Sequence, residues 1–330
     1  MIEVRNKMTT EEKTFLHVPV LYEACIDNLC IKADGIYVDG TLGGAGHSSG
    51  ILKKLGKDGL LIGIDQDVDA LAVATARLQK IKDEGNDADF CTFHANFVEM
   101  PEVCRHFKTE KVDGILLDIG VSSYQLDTEK RGFSYRFDSP LDMRMDRTND
   151  FSAYGLVNGY SEKELADVIF NYGEEKFARR IAAVIVERRK IKPIETTFEL
   201  VDIIKAAIPA SKRFAKGEGH PAKRTFQALR IEVNKELDVL ENVIDKAIDL
   251  LNPGGRLCII TFHSLEDRIV KQKFKKAAQP CECPPSFPVC VCGKKSKGKV
   301  ITGKPIEASE EELELNPRAS CAKLRVFEKR

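Results

Sequence analysis

The stretch that most constrains the fold is Ile36-Tyr-Val-Asp-Gly-Thr-Leu-Gly-Gly-Ala-Gly-His47, followed at Leu60-Leu-Ile-Gly-Ile-Asp65 by an apolar run that ends in an acid. Ile36 to Gly40 has the character of a strand, Gly40, Gly43, Gly44 and Gly46 make a turn, and Ser48 to Leu55 reads as a helix. Glycine suits a turn that needs positive φ and a backbone that a ligand approaches closely. Asp65 falls at the carboxyl end of the second strand, the edge where open parallel sheets bind ligands, and its carboxylate can accept hydrogen bonds from ribose hydroxyls. The chain therefore begins with half of a nucleotide site.

The glycine order indicates which nucleotide. A nicotinamide fingerprint reads G-x-G-x-x-G with an acid about 20 residues on. Here the order is G-x-x-G-G-x-G, Asp39 precedes it, and Asp65 lies 26 positions after Asp39. That loop suits an adenosyl group with a short zwitterionic tail better than a pyrophosphate, and it resembles the first motif of Rossmann-like S-adenosylmethionine methyltransferases.

With 330 residues, 43% of them hydrophobic, the chain is long enough for two domains with a substantial core. No apolar run approaches the roughly 20 residues that span a bilayer. The start of the chain, with Glu3, Arg5, Lys7, Glu11 and Glu12, lacks a secretory apolar region, so a cytoplasmic protein with no membrane partner is expected. The 51 basic residues are balanced by 51 acidic ones, so any nucleic-acid face must be local. Cys25, Cys30, Cys91, Cys104 and Cys258 sit in apolar or helical contexts and read as small core residues of a reducing compartment.

Residues 1 to 14 are polar and expected to fray, and His17 near a Pro turn reads as structural or as a substrate contact. Tyr22 to Leu29 is an amphipathic helix, and Val68 to Lys82 a second, with Leu71, Ala74, Leu78 and Ile81 on one side. Phe90 to His94 is the third strand, with Phe97 just beyond it as an apolar surface for an adenine or simply core. Val112-Asp-Gly-Ile-Leu-Leu-Asp118 is the fourth, buried on both faces and ending in an acid at the rim where donor and acceptor must meet.

Seven blocks then carry a close resemblance: Asp39 to His47, Asp118-Ile-Gly-Val-Ser-Ser123, Arg131-Gly-Phe-Ser134, Pro140-Leu-Asp-Met-Arg-Met-Asp146, Tyr172-Gly-Glu-Glu175, Arg224-Thr-Phe-Gln-Ala-Leu-Arg230 and Phe262-His-Ser-Leu-Glu-Asp-Arg268. Together they resemble the bacterial ribosomal RNA cytosine-N4 methyltransferase family called RsmH or MraW, over about residues 16 to 275 and again at Asn316-Pro-Arg318. The resemblance implies a class I, Rossmann-like α/β sheet with an inserted helical domain. It implies S-adenosylmethionine as donor and a cytidine of 16S ribosomal RNA, near the decoding site of the small subunit, as acceptor. Carried over by position, the donor contacts fall on Ala45, Gly46, His47, Asp65, Phe97, Asp118 and Gln125. All but Ala45, a glycine in some relatives, have the expected residue type.

Between Gln125 and about Gly219 the α/β alternation stops. Ser161-Glu-Lys-Glu164 has capping-box form and opens a helix from Leu165 to Phe170; further helices are expected from Glu174 to Lys190 and from Thr197 to Ile208. The expected division is thus 1–125, an inserted substrate-recognition domain at 126–219, and 220–330. The insert carries Arg179, Arg180, Arg188, Arg189, Lys190 and Lys192. Residues 205 to 230 add seven basic side chains against Glu218 alone, among them Lys205, Lys212, Arg213, Lys216, Lys223, Arg224 and Arg230. Such density suits contacts to RNA phosphates. The Asp142 and Arg144 pair reads equally as a nucleotide contact or as an ion pair within the fold. Thr225 to Leu251 is read as one long helix, stopped by Asn252-Pro-Gly-Gly255 ahead of a fifth strand, Arg256 to Phe262.

Cys281-Glu-Cys283 and Cys290-Val-Cys292 supply four thiolates that can bind a structural zinc in a loop, 281–299, too polar to fold alone. Lys294, Lys295, Lys297 and Lys299 beside it are candidate RNA contacts. The last two strands are expected at 299–306 and 323–328.

Cytosine N4 is a poor nucleophile because its lone pair is delocalised into the ring. The base must be flipped out and its amino group aligned and hydrogen-bonded. Many amino-methylating enzymes place Asp or Asn, Pro-Pro and an aromatic at the fourth strand end, whereas this chain has Asp118-Ile-Gly-Val-Ser. Asp118 is the leading catalytic candidate, with Ser122, Ser123 and His263 behind it. A nicotinamide dehydrogenase and a ribosome-assembly factor without chemistry are the competing readings; the glycine order opposes the first, and the acids Asp65 and Asp118 the second. A homodimer is left open.

Overall fold

The computed structural model describes residues 19–213, 219–284, 289 and 291–330. His17, Lys216, Glu218 and Cys290 lie outside the described residues. Alternation of strand and helix runs from α1 (Tyr22–Leu29) and β1 (Ile36–Asp39) through α2 (Gly46–Lys54), β2 (Leu60–Asp65), α3 (Val68–Asp83), β3 (Asp89–His94) and α4 (Met100–His106) to β4 (Val112–Asp118) and α5 (Ser123–Asp127). It resumes with α11 (Glu236–Leu250), β5 (Leu251–Thr261), α12 (Ser264–Ala278), β6 (Gly298–Val300), α13 (Glu310–Leu315) and β7 (Lys323–Lys329).

The sheet order is β3-β2-β1-β4-β5-β7-β6, with β1 to β5 parallel and β7 antiparallel to both its neighbours. This is the expected class I methyltransferase sheet. Successive side chains of a strand face opposite sides, and β4 illustrates it: Leu116 enters one apolar layer with Leu29, Ile51, Leu52 and Leu78, while Ile115 and Leu117 enter the other with Met100, Leu240, Ile244 and Phe274. Both faces are covered by helices, which is why the run reads as continuously apolar. The order reverses between β1 and β4, so the crevice at their carboxyl ends is the topological switch point where such sheets bind ligands.

A third apolar cluster belongs to the insert. It is built by α6 (Ala153–Gly159), α7 (Glu162–Gly173), α8 (Ala178–Arg189), α9 (Thr197–Ala207) and α10 (Lys223–Asn234), through Leu156, Leu165, Ile181, Leu200 and Phe226. The capping box expected at Ser161 is present, with Glu164 N donating to Ser161 Oγ at 3.3 Å and Ser161 N to Glu164 Oε2 at 2.7 Å. The helix expected from Glu174 starts at Ala178, because Glu174 adopts φ 50° and closes α7 instead.

The expected single helix from Thr225 to Leu251 is two. Lys235 at φ 51° separates α10 from α11. Asn234 explains the break: its amide donates to the carbonyls of Met143 and Arg230, at 2.8 and 2.9 Å, and its Oδ1 accepts from Met145 N at 2.8 Å. Helix α10 is thereby held to the insert, and its Phe226, Leu229 and Val233 carry that apolar cluster past residue 219. Helix α11 turns back onto the sheet. No helix among the described residues is long and apolar enough to cross a membrane.

Candidate active site

The glycine loop is tied down from within. Asp39, at the end of β1, is buried and accepts from Ser48 Oγ at 2.6 Å and from Thr41 N at 3.1 Å. Thr41 Oγ1 in turn accepts from Asp118 N at 2.6 Å, so the ends of β1 and β4 are pinned together. Gly46 is needed for packing, since a Cβ there would run into Pro19, and Gly40 likewise faces Leu117, Phe97 and Met100. Gly43 and Gly44 differ. A Cβ on Gly44 would meet nothing within 4 Å, and one on Gly43 only the Thr41 carbonyl at 3.8 Å, so here the loop backbone faces open space. Ala45, the N-cap of α2, adopts φ 56°.

Asp65 closes the loop from β2. Its Oδ2 accepts from Gly43 N at 2.7 Å and its Oδ1 from Asp67 N at 2.9 Å, while burial pushes its carboxyl up to about 6 against those bonds. Each oxygen keeps lone pairs for a further donor. Phe97 begins the turn after β3, half-buried against the apolar layer of Met100, Leu117 and Phe274, and Asn96 beside it donates to Gln66 Oε1 at 3.0 Å.

Asp118 holds the central position. It is about a quarter exposed, yet its Oδ1 is buried and has no partner among the described residues. Burial, with Asp39 and Glu266 adding repulsion, pushes its carboxyl up to about 8. His47 approaches from α2. Its Nε2 lies 3.0 Å from the Val20 carbonyl, an acceptor only, so that nitrogen carries the proton and Nδ1 presents a lone pair 3.8 Å from Asp118 Oδ2. Burial holds the imidazole down to about 4 and hence neutral, so the two do not form an ion pair at neutral pH.

Gln125 is buried and its amide is engaged twice: Oε1 accepts from Ser122 N at 3.1 Å and Nε2 donates to Asp67 Oδ2 at 2.8 Å. Ser122 caps α5, taking Gln125 N on its Oγ at 3.2 Å; Ser123 is the first residue of that helix. His263 caps α12 next to the end of β5, with Nε2 3.0 Å from Glu266 Oε1. Glu266 is fully buried; burial raises its carboxyl, but His263, Arg230 and the Phe262 amide outweigh that and hold it below its ordinary value. Neither His263 Nε2 nor Glu266 Oε1 makes a well-directed hydrogen bond among the described residues. Glu236 completes a group with them, but Arg230 occupies both of its oxygens at 2.8 Å.

That ion pair corrects one expectation, because Arg230 is turned inward and is not an RNA contact. Others of the basic set are also engaged: Arg189 with the Val157 carbonyl, Lys190 with Glu187, and Lys192 with Glu195 and Glu199. Arg179, Arg180, Arg188, Lys212 and Lys223 are exposed. Asp142 and Arg144 form a two-pronged pair at 2.7 and 3.1 Å that also ties the Asn149 carbonyl, so they brace the loop before α6. Lys294 pairs with Glu282, Lys297 with Asp249 and Lys299 with Glu328.

Asp67 lies in none of the sequence motifs, and Arg131 lies in one without an assigned role. Asp67 caps α3, and its Oδ2 accepts from both Gln125 and Arg131. A carboxylate two residues after Asp65 at a helix start is the signal that could have found it.

A family model described as the MraW methylase family matches residues 14–330. The chain belongs to that family. Among relatives, it is 62% identical over 315 residues to the ribosomal RNA small subunit methyltransferase H of Lachnospira eligens, covering 96% of this chain and 98% of that one. It is 58% identical to the protein of the same name from Clostridium botulinum strain 657, over 96% and 99%. Solved structures align more distantly: SMU.1697c of Streptococcus mutans, a putative methyltransferase in complex with SAH, shares 11% identity over 95% of this chain and 100% of that one, with a TM-score of 0.42. The family match spans the insert and the cysteine loop as well as the sheet.

Proposed function

We propose that the chain methylates N4 of a cytidine in 16S ribosomal RNA, near the decoding site of the small subunit, with S-adenosylmethionine as the donor. The observation that carries this reading is the convergence of Asp39, Asp65 and Asp118 on the rim beside the glycine loop, each pushed up by burial. Such a rim favours a ligand that brings positive charge and hydroxyl donors, and it repels a pyrophosphate. A sulfonium joined to adenosine meets both conditions, and a dinucleotide does not. The names of the relatives support the small-subunit RNA as substrate.

When bound, the donor supplies an electrophilic methyl group. Asp65 is placed to take ribose hydroxyls on the lone pairs that Gly43 and Asp67 leave, and Phe97 to face the adenine. The open backbone at Gly43 and Gly44, with Ala45, Gly46 and His47 at the start of α2, is placed for the charged tail. Gln125 acts by holding Asp67 and the start of α3. Asp118 is the residue assigned to the acceptor: its unpartnered Oδ1 takes a hydrogen bond from the cytosine amino group, which draws the nitrogen lone pair out of the ring and gives the released proton a destination. His263, with Glu266 behind it, and Ser122 on the β4 side flank the flipped base. The exposed arginines and lysines of the insert meet phosphates. Methyl transfer from a sulfonium needs no metal, so a zinc held by the cysteine loop is structural; α12 alone, at 15 residues, sets that loop roughly 22 Å from His263.

The test is transfer of labelled methyl from the donor to isolated small subunits, large subunits and deproteinised 16S RNA, followed by nucleoside chromatography. Label in N4-methylcytidine from the small subunit or its RNA is expected. Label in 5-methylcytidine, or only in large-subunit RNA, contradicts the assignment.

A further inference from the structure

The loop between α12 and β6 presents a cluster that methyl transfer does not use. The sulfurs of Cys281, Cys283 and Cys292 all lie within 4.8 Å of one another, and none is in a disulfide. No described residue from 279 to 297 is buried, and none enters an apolar cluster. Three thiols thus converge where no described residue of the segment is buried to bring them together. Both ends of the segment are fastened, with Lys297 N donating to the Ala277 carbonyl at 2.9 Å and Gly298 packed so tightly that a Cβ would strike the Glu328 carbonyl.

A donor and a cation lie beside the sulfurs. Val291 N donates to Cys283 Sγ at 3.4 Å. The Lys294 ammonium, paired to Glu282, lies in the field of Cys281 and Cys292. Four sulfurs around zinc at about 2.3 Å stand roughly 3.8 Å apart in tetrahedral geometry, so the observed spread contracts onto an ion with small side-chain movement. Calcium and magnesium prefer oxygen ligands, which leaves a thiophilic divalent ion.

We infer that Cys281, Cys283 and Cys292 bind a structural zinc ion that fastens the connection between α12 and the final strands. The ion ties the described ends of the segment together, as metal-ligand bonds do in small polar modules.

The experiment uses the full chain expressed with zinc supplied, desalted, and measured for metal content and by X-ray absorption at the zinc edge. About one zinc per chain is expected, with three or four sulfurs near 2.3 Å. Cys283→Ser and Cys292→Ser should each lower zinc content at least several-fold and speed proteolytic cleavage within 279–297. Cys30→Ser and Cys321→Ser, at exposed thiols elsewhere, should leave both unchanged. Less than a tenth of an equivalent of zinc, a shell of nitrogen and oxygen alone, undiminished zinc in the Cys283 and Cys292 variants, or an intact mass showing these thiols oxidised to a disulfide would each overturn the inference.

Discussion

Arg131 donates to Asp67 Oδ2 at 2.7 Å with the two side chains 3% and 2% exposed. Arg131 also donates to the carbonyls of Arg144 and Met145, at 2.9 and 3.1 Å, and Asp67 receives Gln125 and caps α3. One buried pair therefore joins the first loop of the insert to the helix that follows the Asp65 strand. Removing one partner strands a buried charge, so Arg131→Ala should cost about 3 to 5 kcal/mol. Thermal unfolding checks this. A drop worth less than about 1 kcal/mol would show that the pair is not desolvated as the structure has it.

Asp65→Ala should weaken binding of S-adenosylhomocysteine by about 1 to 3 kcal/mol, because ribose hydroxyls would lose their acceptor in a crevice. Calorimetry reads it directly, and an unchanged dissociation constant would remove Asp65 from the donor site.

On the proposed mechanism the Asp118 carboxyl, pushed up to about 8, would have to be ionised to accept the amino group. In the free enzyme kcat/KM should therefore rise with pH and level off above about 8, and Asp118→Asn should both flatten the profile and lower the rate by roughly 100-fold or more. The folded chain holds this proton more tightly than an unfolded carboxyl titrating near 3.8. This group's contribution to stability is thus present below about pH 4 and is lost as pH rises towards 8. Donor binding brings a cation and should shift the rate profile to lower pH in kcat than in kcat/KM; identical profiles would separate Asp118 from the sulfonium.

Ala45 holds φ 56° at the N-cap of α2, a conformation that costs a residue with a Cβ about 1 kcal/mol or more. Ala45→Gly releases that strain but deletes a methyl fully buried in the apolar layer of Leu29 and Ile51 and frees the unfolded chain, so stability should change by less than about 1 kcal/mol and donor affinity by less than twofold. A loss of more than about 2 kcal/mol would show that the turn is not strained at Ala45.

Much of the sheet was legible because its strands are buried on both faces and announce themselves as apolar runs: Leu116 and Leu117 point to opposite layers and are equally buried. The carboxyl-end acids Asp39, Asp65 and Asp118 followed from strand position alone. What stayed hidden depends on partners distant in sequence. The break at Lys235 comes from Asn234 bonding to residues 143 and 145, and the inward turn of Arg230 comes from Glu236 across that break. Local charge density could not reveal either. Gly46 was read as a ligand contact, while its missing Cβ already answers to Pro19, a contact outside any motif. The pairing of Asp67 with Arg131 spans 64 positions and had no local pattern to mark it.

The central claim, that this rim carries a methyl group to a cytosine amino nitrogen in 16S RNA, is tested most directly by mass spectrometry of 16S ribosomal RNA nucleosides from cells with and without the chain. Loss of one N4-methylated cytidine is predicted in its absence, with recovery on return of the intact chain but not of the Asp118→Asn form. An unchanged N4-methylcytidine content, or recovery by Asp118→Asn as full as by the intact chain, would contradict the account.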